Sequence, residues 1–201
     1  MPLSDQLEFT LAHDGSVFLL TLLAQDGMNR LTRRKVIALT EELYKISASP
    51  GKMSPLIISA KDNFSVGADL NEITALTGPE AYAFSAVGQA LMHAVATFPA
   101  PVIAAIGGHC MGGGLDLALA CHRRIAAPRA VFGHRGAALG LITGWGGTQR
   151  LPRLIGKART LELLLAAERI SAAHALEIGL VDAIAEDPVL EAKKYLHLLR
   201  R

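Results

Sequence analysis

One glycine-rich stretch of this sequence combines the residue types that bind negative charge with a single acidic side chain. The apolar run at residues 102–106 leads to Gly112, Gly113 and Gly114. Where a strand passes through glycines into a helix, the first N–H groups of the helix have no partners inside it, and the helix dipole adds positive charge there. Such a place stabilises an anion that is bound or develops during a reaction. Asp116 lies about one helical turn beyond Gly113 and is the candidate acid/base group.

A second loop, residues 61–69, follows another apolar run at residues 56–60 and contains Gly67. In α/β folds, ligands bind at the carboxyl ends of strands, and both loops fit that position. We therefore expect the backbone N–H groups of Ala68 and Gly113 to bind one oxygen atom as an oxyanion hole. The alternative is that both loops are only tight connections.

Cys110 offers a different chemistry, because its neighbours match a nucleophile elbow, Gly-x-Ser-x-Gly, with cysteine in place of serine. A hydrolase of this type needs a later acid and then a later histidine, for which Asp182 and His197 are the only well-ordered pair. The competing interpretation is a packed, inert thiol. The histidines lack the spacing of a zinc site, so we expect no metal.

The elements that must position these loops alternate along the chain. Asp14-Gly15 predicts a hairpin turn, Thr32 can cap a helix that ends near residue 49, and Pro79 can begin another that ends near residue 98. Further strands are expected at 56–60, 102–106, 124–127, 130–132 and 180–184, and further helices at 69–73, 115–121, 150–154, 157–167, 171–176 and 188–201. This alternation predicts an α/β fold with mostly parallel strands.

The long glycine-rich loop 133–147, which contains His134 and the only tryptophan, Trp145, is expected to be functional.

Composition limits the class of protein. The chain has 201 residues, of which 51% are apolar and 19% charged, as in a core-rich single domain. A net charge of +2 and an aromatic content of 5% argue against nucleic acid as a partner. The uncharged stretch 81–115 is interrupted by polar residues, prolines and glycines, so no membrane span is expected. The first residues do not read as a signal peptide, and we expect a cytoplasmic protein.

Four segments, in order, resemble the crotonase superfamily, the enoyl-CoA hydratase/isomerase family. Residues 64–73 (FSVGADLNEI) resemble its first signature, and residues 101–121 (PVIAAIGGHCMGGGLDLALAC) resemble its second. Within residues 132–152, the pieces FGH, LGL and GGTQRLP resemble the third, and residues 169–182 (RISAAHALEIGLVD) are similar to the stretch that follows. The resemblance covers nearly the whole chain.

This resemblance implies a crotonase (ClpP-like) spiral of repeated β-β-α units, one domain over residues 1–201, assembled as a homotrimer or homohexamer. It implies an acyl-CoA thioester substrate of fatty acid metabolism and no separate cofactor, since CoA is part of the substrate. The thioester oxygen would lie between the N–H groups of Ala68 and Gly113. Arg30 or Lys61 is a candidate for the CoA phosphates, against solvated surface charge as the alternative. The other residues expected to contact substrate or CoA are Ser65, Val66, Gly67, Asp69, Leu70, Gly112 and Gly136.

The sequence departs from the family pattern at its carboxylates. A typical hydratase has glutamate at the positions of Asp116 and Gly136, and dienoyl-CoA isomerases of the family carry aspartate at Asp116 with further acids at the positions of Gly136 and Gly144. Hydration works best with two groups, one that gives a proton and one that takes it, whereas one carboxylate suffices to shuttle a proton. His134 can supply a second acid/base group or have a structural role. We expect the family's further helices beyond residues 188–201 to be shortened or absent, either in a naturally short member or in a truncated form.

The leading prediction is an acyl-CoA thioester enzyme in which Ala68 and Gly113 bind the oxyanion and Asp116 is the acid/base. Its reaction is hydration or double-bond isomerisation of an enoyl-CoA, with isomerisation the easier to defend chemically. The alternatives are an acyl-CoA-binding member with little catalysis and a hydrolase built on Cys110.

Overall fold

The strands of this chain alternate between one large sheet and a smaller one. The computed structural model describes residues 8–199. The elements in chain order are β1 (Phe9–His13), β2 (Phe18–Leu22), β3 (Arg30–Leu31), α1 (Arg33–Ser47), β4 (Leu56–Ala60), β5 (Gly67–Ala68), α2 (Leu70–Thr74), α3 (Gly78–Ala96), β6 (Val102–Ile106), β7 (His109–Met111), α4 (Gly113–Ala120), β8 (Arg123–Ala126), β9 (Val131–Gly133), a 3-10 turn (Ala137–Leu139), α5 (Gly147–Ile155), α6 (Lys157–Ala166), β10 (Ile170–Ser171), α7 (Ala172–Glu177), β11 (Ala183–Ile184) and α8 (Pro188–Leu198).

The sheet topology describes a spiral. The large sheet has the order β1-β2-β4-β6-β8-β11, in which β1 and β2 are antiparallel and the other pairs are parallel. The small strands pair as β3-β5 and as β10-β9-β7, and a bridge between Ser65 and Cys110 links the two groups. Each turn of the chain therefore contributes one strand to each layer and then a helix, as in β2-β3-α1, β4-β5-α3 and β6-β7-α4. The predicted α/β spiral of β-β-α units is confirmed.

Local sequence signals account for the ends of several elements. The Asp14 carboxylate accepts hydrogen bonds from the backbone of Ser16 and Val17 in the turn between β1 and β2. The Thr32 hydroxyl accepts from the backbone N–H of Lys35 and begins α1. A capping box of Thr77 and Glu80 begins α3. These interactions confirm the hairpin and both helix starts.

The central strands are apolar throughout because both faces of the large sheet are covered. In β6, Val102, Ala104 and Ile106 belong to the main core, together with residues of α1, α3 and α4. Ile103 and Ala105 alternate with them and belong to a second, smaller core that α8 covers with Ala192 and Leu196. The carboxyl ends of β4 and β6 thus emerge from a rigid, buried sheet, which positions the two glycine loops.

Some boundaries differ from the predictions. The segment between β6 and α4 was expected to be a bare turn, but it contains β7, and α4 begins at Gly113 rather than near Leu115. The expected strand at 180–184 is reduced to β11. Helix α8 ends at Leu198. The predictions for residues 1–7 and 200–201 lie outside the described residues. Between residues 8 and 199, no helix combines the length and the apolar character needed to cross a membrane.

Candidate functional site

The two glycine loops predicted to form the site contact each other through their backbones. A Cβ atom on Gly67 would lie 2.8 Å from the carbonyl oxygen of Met111 and 3.0 Å from the nitrogen of Gly113. A Cβ atom on Gly113 would lie 3.4 Å from the nitrogen of Ala68. Gly67 also has a φ of +97°, which L side chains rarely adopt. Glycine at these positions is therefore what lets the backbones of Ala68 and Gly113 approach.

Helix α4 starts at this contact. Gly112, with a φ of +51°, turns the chain out of β7, and its N–H donates to the carbonyl of Gly133 over 2.9 Å. Gly113 is the first residue of α4, so its N–H has no partner within the helix. A Cβ atom on Gly114 would lie 2.6 Å from the carbonyl oxygen of Ser65. The helix N-terminus is thus packed directly against the loop 61–69.

Asp116 lies on the first turn of α4 and is 2% exposed. Its Oδ2 accepts a hydrogen bond from the Thr143 hydroxyl at 2.6 Å, and the Nε2 atom of His134 lies 3.6 Å from the same oxygen. Asp116 Oδ1 would be 2.4 Å from a Cβ on Gly147, so only glycine fits there without displacing the carboxylate. The acid/base candidate of the sequence is therefore held between α4 and the long loop 133–147.

The long loop is fastened to the helices on both sides. The Gln89 side chain on α3 donates to the carbonyl of Gly144 at 2.8 Å, and the Arg150 guanidinium donates to the carbonyl of Trp145 at 3.1 Å. The Trp145 ring is buried and lies against Phe84, with ring centroids 5.4 Å apart. Its edge also contacts Gly113, where a Cβ would lie 2.5 Å from ring atom Cζ3. Trp145 therefore fills the space between α3 and the start of α4.

An open cleft of about 400 Å³ lies between α3 and this loop. Its lining residues are Ala81, Tyr82, Ser85, Ala86, Gln89 and Gly144. The cleft reaches the loop at Gly144, next to Trp145, and its lining does not include Ala68, Gly113 or Asp116.

The residues expected to contact substrate or CoA occupy different environments. Ser65 is fully buried, and its hydroxyl donates to the carbonyl of Asn29 and accepts from the N–H of Gly67. Asp69 caps α2 by accepting from the N–H of Asn71, and Leu70 is 50% exposed. Ser65 and Asp69 therefore use their side chains to shape the loop, while Leu70 offers an apolar surface.

The other residues expected to contact CoA either form backbone and glycine contacts within the loops or lie at the surface. The N–H of Val66 donates to the carbonyl of Met28 at 3.1 Å. Gly136 lies near the ring of His134, where a Cβ would be 3.5 Å from Nδ1. Arg30, a candidate for the CoA phosphates, pairs with Asp26 at the surface, and Lys61 is exposed. Of these two cations, Arg30 already has an acidic partner, so Lys61 is the better candidate to contact a phosphate.

The hydrolase based on Cys110 is contradicted by the structure. Cys110 lies within strand β7 rather than on a strand-to-helix turn, and it is fully buried. Burial raises the pKa of its thiol well above the ordinary value, so the nucleophilic thiolate is disfavoured. Asp182 pairs with Arg123 and Arg124, and His197 is exposed on α8, so neither reaches the buried sulfur. The alternative of a packed, inert thiol is the better description.

Two residues of the site were not identified from the sequence as site residues. Thr143 binds Asp116 through its hydroxyl, yet a threonine in a glycine-rich loop carries no distinguishing local pattern. Trp145 was noted only as the single tryptophan of a loop expected to be functional. That loop's length was the available signal. Within residues 8–199, no cluster of three or more histidine, cysteine or acidic side chains is arranged to hold a metal ion.

The spiral of β-β-α units and the two touching glycine loops define the architectural class of the crotonase superfamily. Comparison with known proteins specifies the family: the model described as Enoyl-CoA hydratase/isomerase matches residues 12–200. This chain belongs to the enoyl-CoA hydratase/isomerase family.

Solved structures agree with this assignment. DspI of Pseudomonas aeruginosa is 30% identical, with a TM-score of 0.91 over 99% of this chain and 77% of that one. An enoyl-CoA hydratase from Bacillus anthracis is 34% identical, with a TM-score of 0.86 over 94% of this chain and 74% of that one. An enoyl-CoA hydratase from Thermoplasma volcanium is 26% identical, with a TM-score of 0.90 over 98% of this chain and 79% of that one.

Proposed function

We propose that this chain binds an enoyl-CoA thioester and shifts the position of its double bond through an enolate. The observation that carries the proposal is the contact of the two glycine loops, with Ala68 and Gly113 as neighbours and Asp116 one helical turn further along α4. Membership of the enoyl-CoA hydratase/isomerase family supports the substrate class. The proposed reaction needs no cofactor besides the CoA that is part of the substrate.

The proposed reaction balances with a single carboxylate. Asp116 takes a proton from C2 of a 3-enoyl thioester, and the electron pair moves onto the thioester oxygen. The N–H groups of Ala68 and Gly113, together with the positive end of α4, stabilise that negative charge. The electrons then return, the double bond forms between C2 and C3, and Asp116 delivers its proton to C4. No other reactant is consumed.

Burial of Asp116 supports this role. The carboxylate is 2% exposed, and the Thr143 hydroxyl holds one of its oxygens. A base shielded from bulk water keeps the transferred proton available for return to the same substrate. Cytoplasmic location and a trimeric or hexameric assembly remain predictions implied by the sequence and the resemblance.

The test uses the whole chain with a 3-enoyl-CoA, and the conjugated product is followed by its absorbance and by chromatography. We expect Asp116→Asn to lower kcat by about 10²- to 10⁴-fold, because general acid–base groups contribute that much. Asparagine keeps the size of the side chain and can still accept from Thr143. The matched control is Glu186→Gln, an exposed carboxylate outside the site, which should leave kcat unchanged.

Two results would contradict the proposal. Turnover that survives Asp116→Asn shows that another group moves the proton. Binding of CoA thioesters without turnover of any of them supports the alternative of a binding protein with little catalysis. Thermal unfolding of both variants, monitored by circular dichroism, checks that each one is folded.

A further inference from the structure

Two side-chain atoms beside each other in the site are buried without a hydrogen-bond partner. They are Oδ1 of Asp116 and Nε2 of His134, and Asn29 Oδ1 is the third such atom recorded among residues 8–199. Asp116 is 2% exposed and His134 is 7% exposed. Buried polar atoms in folded proteins are almost always paired, so two unpaired atoms on neighbouring side chains call for an explanation.

The two side chains do not satisfy each other. His134 Nε2 lies 3.6 Å from Oδ2 of Asp116, which is too long for a hydrogen bond. The Thr143 hydroxyl already binds Oδ2 at 2.6 Å. Oδ1 of Asp116 and Nε2 of His134 therefore remain without a hydrogen-bond partner on two neighbouring side chains.

Regular structure holds this pair in place. His134 directly follows β9, and β9 pairs in parallel with β7, in register from His109 and Val131 to Met111 and Gly133. The carbonyl of Gly133 accepts the hydrogen bond of Gly112, just before α4 begins with the turn that carries Asp116. The relative position of imidazole and carboxylate is thus set by backbone pairing and not by the long loop alone.

We propose that His134 is a second catalytic group, and that with Asp116 it adds water to a 2-enoyl thioester. This inference rests on the proposed function, because it uses the same enolate and the same binding site. It extends the reaction class, since hydration needs one group that takes a proton while another gives one.

Asp116 starts as the carboxylate, as in the isomerisation, and His134 carries the proton of the pair. The oxygen of a water molecule forms a bond to C3, Asp116 takes a proton from that water, and the π electrons move through C2 onto the thioester oxygen. His134 Nε2 then donates its proton to C2 as the carbonyl reforms. Transfer of the proton from Asp116 to His134 restores the pair, and one water has been added.

The test separates the two reactions of the site in His134→Gln. Glutamine fills similar space and forms hydrogen bonds, but it cannot carry a proton at neutral pH. We expect hydration of a 2-enoyl-CoA to fall at least about 100-fold in kcat, in line with the loss of a general acid, while KM changes little. Isomerisation of a 3-enoyl-CoA should fall by a much smaller factor, since its proton transfers need only Asp116. His93→Gln, an exposed histidine on α3, is the matched control.

A second variant tests the proton-carrying role itself. His134→Glu places an acid/base group at the same position, so its hydration rate should exceed that of His134→Gln by about tenfold or more. Equal loss of both reactions in His134→Gln, without recovery in His134→Glu, indicates a structural role and overturns the assignment.

The remaining outcomes distinguish this inference from the proposal on which it rests. A chain that isomerises but never hydrates, or a His134→Gln variant that hydrates at the normal rate, refutes the role of His134 and leaves the isomerase proposal intact. A chain that turns over neither thioester refutes both.

Discussion

Asp116 depends on a neighbour from another part of the chain. The Thr143 hydroxyl donates to its Oδ2 at 2.6 Å, while α4 supplies the carboxylate and the long loop supplies the threonine. A short hydrogen bond of this kind orients a carboxylate and restricts its rotation. Thr143 is therefore a positioning residue for the proposed base, and its contribution can be measured separately from that of Asp116.

We expect Thr143→Val to lower kcat for isomerisation roughly 10- to 100-fold, because hydrogen bonds to charged groups are worth about 1.5–3 kcal/mol. Valine matches the shape of threonine but lacks the hydroxyl. KM should change little, since Thr143 is not expected to touch the substrate. Thr143→Ser keeps the donor and should recover most of the activity. An unchanged kcat in Thr143→Val would show that the hydrogen bond does not orient the base.

Unlike Asp116, the two cysteines have no role in the proposed chemistry, although cysteine is a residue type that often reacts. Burial raises the pKa of the Cys121 thiol to about 12, and that of Cys110 is also raised by burial. Each sulfur donates to a carbonyl oxygen four residues away in the sequence, Gly114 for Cys110 and Leu117 for Cys121. Both are packing residues, and for Cys110 this agrees with the interpretation of a packed, inert thiol.

At the scale of elements, the packing of Trp145 between α3 and α4 determines the shape of the site. The indole lies against Gly88 of α3 and against Gly113 of α4, and it stacks at an angle on Phe84. Glycine at both contacts lets a large ring fit between two helices. The position of the long loop, and with it Thr143, depends on this contact.

We expect Gly88→Ala to destabilise the protein by about 1–3 kcal/mol, because its Cβ would lie 2.0 Å from Nε1 of Trp145 and overpacking costs that much. Fluorescence of the single tryptophan should shift as the ring moves. Gly78→Ala is the matched control at the start of the same helix, where a Cβ meets nothing within 4 Å. A stability equal to that of the control would show that the loop adjusts without strain. Thermal unfolding gives the comparison.

At the scale of the whole molecule, an ion pair between a buried arginine and a partly exposed aspartate connects the last strands of the large sheet. The Arg124 side chain is 5% exposed, and its guanidinium contacts Asp182 Oδ2 at 3.2 Å and the carbonyl of Leu180 at 2.8 Å. Burial lowers the pKa of Arg124, and Asp182 opposes that shift. Because Asp182 directly precedes β11, this pair holds the edge of the sheet on which α8 packs.

We expect Asp182→Ala to destabilise the protein by about 1.5–3 kcal/mol, since the buried guanidinium of Arg124 loses its charged hydrogen-bond partner. Lys45→Ala, which breaks an exposed pair with Glu42, is the control and should cost less than about 1 kcal/mol. Urea unfolding midpoints of the two variants give the difference. Equal midpoints of the two variants would mean that water replaces Asp182 as the hydrogen-bond partner of Arg124.

Much of the fold could be predicted because its signals are local. The apolar run Leu56–Ala60 and the cap at Thr32 correspond to β4 and the start of α1. Strands β3, β5, β7 and β10 were not identified, because each has only two or three residues and exists through partners far along the chain. Such short segments carry too little periodicity to indicate a strand.

The sequence by itself determined which residues have the right chemistry: glycines that open the backbone, one carboxylate on a helix turn, and a histidine in a long loop. Those are properties of side-chain type and short-range spacing. Only the tertiary structure decided that Gly67 meets Gly113, that Thr143 binds Asp116, and that His134 stands 3.6 Å from the same carboxylate. These contacts arise because the spiral brings successive loops to one end of the sheet, and that convergence depends on long-range strand pairing and core packing.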